Sequence, residues 1–228
     1  MMARQSTPRG KCVFCGREFT RGGLVTHLKA CPDRAEAVAK ADAGRGRAQR
    51  LFHLQVQDAW AGDFWLHLEM NGTATMGALD SYLRAIWLEC CGHLSTYFIG
   101  PAWTGEEVSI SRHADAVLTP GLKLLHLYDF GTTSETSIQV VDVREGRPLT
   151  THPIYLMARN DLPPVKCAVC GEPATQFCTE CMYDDSGAEL LCDVHAETHE
   201  CDPDYLVPIV NSPRVGMCGY YGPAEPPY

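Results

Sequence analysis

The chain has 228 residues, 45% of them apolar and 21% charged, with a formal net charge of −9. It is long enough for one sizeable core plus small modules, and it contains no run of about 18 apolar residues, which excludes a membrane-spanning helix. The opening Met1-Met2-Ala3-Arg4-Gln5 carries no apolar stretch of the exporting kind, so a cytoplasmic, reducing setting is expected for its 12 cysteines.

The charge is unevenly spread. Residues 1–50 hold 11 basic and 4 acidic side chains, a balance of +7, whereas residues 51–228 stand at −16. A basic end on an acidic body can place a polyanion at that end, or it can dock on its own body.

In chain order, Lys11-Cys12-Val13-Phe14-Cys15-Gly16-Arg17-Glu18-Phe19 and then Leu24-Val25-Thr26-His27-Leu28-Lys29-Ala30-Cys31 spell Cys-x2-Cys-x11-His-x3-Cys. A Cys-x2-Cys turn presents two thiolates to one ion, and residues four apart on a helix share a face, so Cys12, Cys15, His27 and Cys31 are expected to hold Zn2+. The block, residues 1–31, resembles a ββα zinc finger, with Phe19 and Leu24 as its small core and Cys31 replacing the last histidine. Arg17, Arg21 and Lys29 are the candidate phosphate contacts, positioning nucleic acid rather than reading bases. Residues 32–50 read as an alanine-rich helical extension ending in a glycine joint, a basic linker in which Arg45, Arg47 and Arg50 could add phosphate contacts.

Period-two alternation then appears: Phe52, Leu54 and Val56 against His53, Gln55 and Gln57, and Phe64, Leu66, Leu68 and Met70 against Trp65, His67 and Glu69. Two half-buried antiparallel strands joined at Ala59 to Asp63 follow, with the polar face solvated by default; His53 and His67 share that face. Thr75 can cap a helix whose Met76, Leu79, Tyr82, Leu83, Ile86, Trp87 and Cys90 recur on one face. Short strands are expected at Leu94 to Ile99, Val108 to Ile110, Leu122 to Tyr128, Ser137 to Val143 and Pro153 to Met157. The sum, over residues 51–163, is an α+β core with a mostly antiparallel sheet packed by a helix and flanked by two small zinc-stabilised modules. Asp129-Phe130-Gly131 lacks the Gly-rich and His-Arg-Asp loops of a kinase and reads as a hairpin in which Gly131 takes positive φ.

The helix Leu79-Asp80-Ser81-Tyr82-Leu83-Arg84-Ala85-Ile86-Trp87, leading into Gly92-His93-Leu94-Ser95, and the later Leu127-Tyr128-Asp129-Phe130-Gly131 resemble the plasmid pRiA ORF-three-like family. The tail Val210-Asn211-Ser212-Pro213-Arg214-Val215-Gly216-Met217-Cys218-Gly219-Tyr220 is similar to tails on zinc-bearing members. The resemblance implies a fold and a link to mobile elements, and it supplies no reaction. Thr132-Thr133-Ser134 stands where the family has Asp-Asp-Trp.

Residues 164–228 carry the longest ligand pattern, Cys167-x2-Cys170-x7-Cys178-x2-Cys181-x10-Cys192-x2-His195-x3-His199-x-Cys201. Eight ligands imply two ions, and with the finger about three zinc ions per chain. If ligand pairs alternate, Cys167, Cys170, Cys192 and His195 hold one ion while Cys178, Cys181, His199 and Cys201 hold the other, a cross-brace similar to B-box modules. Cys218 is a competing ligand for His199 or Cys201. Four protein ligands per site leave no open position, which points to structural metal.

Cys90 and Cys91 read as apolar helix residues, with a Cys91-His93 nucleophile pair as the alternative. The functional expectation is a non-enzymatic zinc-binding adaptor or scaffold that contacts nucleic acid or a protein partner. The alternatives are an enzyme using Asp129 and a strand histidine such as His126, or a structural subunit of a larger assembly.

Overall fold

A computed structural model of the protein describes residues 7–184 and 187–228; the opening residues read above for export lie outside these ranges. The chain divides into two units. One comprises the described residues up to Tyr82, Leu94–Asp161 and Tyr228; the other comprises Leu83–His93 and Leu162–Pro227.

The first unit is built on β1 (Arg9–Cys12), β2 (Glu18–Thr20), α1 (Arg21–Ala30), α2 (Pro32–Ala43), β3 (Gln49–Asp58), β4 (Trp65–Asn71), α3 (Met76–Leu83), β5 (Ser95–Ile99), β6 (Glu106–Val108), α4 (Ala114–Val117), β7 (Lys123–Tyr128), β8 (Ser134–Gly146) and β9 (Ile154–Asn160). The strands form one nine-stranded sheet in the order β2-β1-β9-β4-β3-β8-β7-β5-β6. Every pairing in it is antiparallel, so the fold is α+β, as the alternation predicts. Local chemistry sets several boundaries. Asp58 closes the β3–β4 turn, its carboxylate accepting from the backbone N–H groups of Ala61, Gly62 and Phe64 at 2.8–3.0 Å. The Thr20 and Thr75 hydroxyls accept from Gly23 and Ala78 and start α1 and α3. α3 rests on the sheet through Asp80, whose carboxylate meets buried His126 at 2.8 Å, and through the Met76 carbonyl, which accepts from Tyr97 Oη.

The finger hairpin is part of this sheet. β1 pairs with β9 in the register Gly10↔Asn160, Lys11↔Arg159 and Cys12↔Ala158. Gly10 permits this approach, because a Cβ there would lie 1.9 Å from the Arg159 carbonyl oxygen. The small core expected around Phe19 and Leu24 therefore extends into the sheet: Cys12, Leu24, Leu28 and Cys31 pack with Trp65, Met157 and Ala158, and Phe19 lies at their margin.

This arrangement corrects the expectation of a solvated polar face on β3 and β4. His53, His67 and Glu69 are 6%, 0% and 3% exposed, and Trp65 on the same side is 1% exposed. The covering layer is α1 and α2. The Arg21 carbonyl meets His67 Nε2 at 3.1 Å, Lys29 pairs with Asp142 at 3.2 Å, and Arg34 reaches Glu69 at 3.3 Å. Alternation reports which residues share a face, not what is later laid upon it. The turn after β7 differs as well: Asp129, at φ 65°, takes the left-handed conformation expected of Gly131. Its carboxylate accepts from the Gly131 N–H at 2.9 Å, an Asx turn that offsets the backbone cost.

In the second unit, β10 (Gln176–Cys178) lies between β11 (Leu190–Leu191) and β12 (Leu206–Pro208) in a three-stranded antiparallel sheet, and α5 (Asp193–Ala196) follows β11. Arg84–Leu88 forms a π-turn, so the regular helix expected to run to Cys90 stops at Leu83.

Candidate metal centres

The finger ligands converge. Cys12 ends β1, and Gly16 at φ 69° turns the chain so that Cys15 faces the same side. His27 comes from α1, stacks on Phe19 at 4.0 Å between centroids, and lies 3.3 Å from Cys15 Sγ. Cys31 caps the end of α1. The four donor atoms lie within 4.8 Å of one another. A tetrahedral Zn2+ site has S···S edges of about 3.8 Å and S···N edges of about 3.6 Å, given Zn–S near 2.3 Å and Zn–N near 2.1 Å.

In the second unit the eight ligands of the long block meet as two alternating sets, each within the same 4.8 Å limit. Cys167, Cys170, Cys192 and His195 form one, with His195 Nδ1 3.2 Å from Cys192 and 3.6 Å from Cys167, and Cys170 3.8 Å from Cys192. Cys178, Cys181, His199 and Cys201 form the other, with Cys181 3.3 Å from His199 Nε2 and 3.6 Å from Cys201. The β10 sheet supplies the frame, since Cys178 ends β10 and Cys192 directly follows β11.

Cys218 joins neither set. It lies with Cys90, Cys91 and His93, again with all four donors within 4.8 Å. The sequence reading placed Cys90 and Cys91 as apolar helix residues and so missed this group. The available signal was the adjacent Cys-Cys pair with a histidine two residues on. With it, all 12 cysteines of the chain fall into four Cys3His sets.

No protein-family model matches the chain, and no curated protein matches it. Among solved structures it is similar to a protein of unknown function from Methanosarcina mazei Go1, at 15% identity and a TM-score of 0.40, covering 48% of this chain and 67% of that one. A likeness of that degree assigns neither fold nor function.

Burial pushes the Cys12 thiol up to about 11 and the Cys181 thiol up to about 12. Metal capture must expel those protons, so acid favours release. Burial and then the Arg17 cation hold His27 below its ordinary value, leaving its imidazole neutral and able to ligate.

The candidate phosphate contacts divide. Lys29 is paired with Asp142, and the Arg21 guanidinium donates to the Gly62 carbonyl at 3.3 Å. Arg17 lies over the Phe19 ring at 5.4 Å. The basic side chains around the end of α2 are placed differently. Lys40, Arg45, Arg47, Arg50 and Arg147 line a groove of about 1220 Å³ in the first unit, accompanied by Asp115 and Glu145. Arg50 donates to the Asp115 carbonyl, and Arg147 to the carbonyls of Gly46 and Asp42. Lys40, Arg45 and Arg47 form no ion pair among the described residues.

The pair named for an acid–base reading is not brought together as a dyad. His126 is fully buried against Asp80, and Asp129 caps its own turn.

Proposed function

We propose that the protein is a non-enzymatic adaptor whose finger and interleaved C-terminal module are each held by structural zinc, and which offers a polyanion the basic groove beside α2. The closed donor sets carry this reading. Each has three cysteines and one histidine from the protein itself, which completes four-coordinate zinc and leaves no position for a water nucleophile. The choice of groove over finger face for the polyanion rests on charge availability. Lys29 and Arg21 are engaged within the first unit, whereas Lys40, Arg45 and Arg47 are not. Cations without a local partner neutralise phosphates at little cost and release counterions as they do so.

Fluorescence anisotropy with labelled duplex DNA and single-stranded RNA tests this reading over a salt series. Binding is expected to weaken with a log–log slope of roughly −2 to −3, as two or three phosphate contacts require. The double variant Arg45→Glu, Arg47→Glu should lose binding at least tenfold, and Arg17→Ala should lose little. Absent or salt-insensitive binding overturns the polyanion assignment and leaves a protein partner as the adaptor's ligand.

A further inference from the structure

We propose that Cys90, Cys91, His93 and Cys218 hold a fourth zinc ion, which fastens the C-terminal tail to the segment that follows the π-turn. All four residues belong to the second unit, and His93 and Cys218 are 125 positions apart in sequence. Their donor atoms are spaced as ligands of one ion: Cys91 Sγ is 3.5 Å from Cys90 Sγ and 2.9 Å from His93 Nε2, which lies 3.7 Å from Cys218 Sγ. The two S···N distances fall on either side of the tetrahedral value, and the S···S distance is about 0.3 Å short of its own. A nucleophilic Cys91–His93 dyad explains one of them; a metal explains the presence of both other thiols as well.

The backbone on both sides is bent to present these donors. Gly92, at φ 75°, reverses the chain between Cys91 and His93, and its N–H is held by Glu89 Oε1 at 2.6 Å. Cys218 has φ 51°, a left-handed conformation that a residue with a Cβ keeps only where its surroundings impose it; Gly216 and Gly219 on either side are also left-handed. The tail is anchored beside this point. Ser212 Oγ donates to the Trp87 carbonyl at 2.6 Å and accepts from the Arg214 N–H at 2.9 Å.

Charge completes the site. The Arg214 side chain is 0% exposed, and its Nη2 donates to Cys90 Sγ at 3.4 Å and to Cys218 Sγ at 3.7 Å. Three thiolates, a neutral imidazole and Zn2+ sum to one negative charge, which the buried guanidinium balances while its N–H groups bond the ligand sulfurs. The other three sets each contain at least one buried ligand, whereas this one has none. It should therefore exchange its ion fastest.

Two measurements on the full chain test the proposal. Elemental analysis after saturation with ZnCl2 and desalting should give four zinc ions, and Cys218→Ser should give three. Three in both proteins overturns it. Differential alkylation on the unmodified chain avoids dependence on a variant's folding. With zinc present, iodoacetamide should spare Cys91 and Cys218 although both are exposed, and brief chelation should open both to labelling while Cys12 and Cys178 stay protected. Labelling of Cys91 and Cys218 that is indifferent to zinc refutes the site. Failure of the adaptor reading would show in nucleic-acid binding and leave these readouts unchanged.

Discussion

At the residue scale, the buried polar layer beneath α1 and α2 contains groups with sharply defined roles. His67 Nε2 faces the Arg21 carbonyl and must donate, so Nδ1 accepts from His53 Nε2 at 2.8 Å, and both rings are neutral. Burial lowers His53 to about 3 and His67 to about 4, from 6.5. Below 6.5 the unfolded chain takes up protons that the folded one refuses. The stabilising contribution is therefore complete above that pH and is lost as pH falls toward 4 and then 3. Urea unfolding between pH 7.5 and 4.5 should show stability dropping with acid, and His53→Gln should flatten the drop relative to the parent chain. Glu69, 3% exposed, accepts from Arg144 at 2.7 and 2.9 Å and from Arg34 at 3.3 Å. Truncating it removes the carboxylate shared by two arginines that are 17% and 18% exposed and keep the Leu28 carbonyl and the Arg147 carbonyl as partners, so Glu69→Ala should cost about 2 to 3 kcal/mol in the same assay.

At the scale of elements, the β1–β9 pairing and the cross-brace are the two joints that matter. Gly10→Val should break the first, since any Cβ there strikes the Arg159 carbonyl. The expected result is a lowered Tm and weaker metal retention by the Cys12, Cys15, His27 and Cys31 set, with the sets of the second unit retained; metal analysis after dialysis checks it. In the second unit the candidate ligands alternate in pairs along the chain, so an ion bound at either set would close a loop that holds part of the other site. Metal bound there would contribute folding free energy on the order of 10 kcal/mol per site. Cys178→Ser should consequently release both interleaved ions rather than one, read by metal content and by the loss of amide protection in β10.

At the scale of the whole molecule, the finger differs from an appended module. Its hairpin extends the nine-stranded sheet, and its core contains Trp65, Met157 and Ala158. A fragment beginning at residue 51 would bare Trp65, His67 and Glu69 together with the β9 edge, and unprotected edges beside apolar surface promote association. Such a fragment should aggregate during gel filtration, where a separable finger would leave a monodisperse core. The second unit is likewise discontinuous in sequence, formed from Leu83–His93 and Leu162–Pro227. A peptide of residues 164–228 should retain the interleaved pair of ions and lack the Cys90, Cys91, His93 and Cys218 set.

The features legible in the sequence are those set by neighbours along the chain. Cys-x2-Cys turns and His-x3-Cys spacing define chelating blocks because a few residues suffice to aim two donors at one ion. Alternation from Phe52 to Met70 defines strands because the pleat repeats every two residues. Thr75 marks a helix start because its hydroxyl meets an N–H only three residues on. Tertiary structure alone decided that His53, His67 and Glu69 on β3 and β4 are buried, that Lys29 meets Asp142, and that Cys218 joins Cys90, Cys91 and His93. Each of these depends on which distant segments come to lie together, and a periodicity or spacing rule contains no term for a partner 125 residues away.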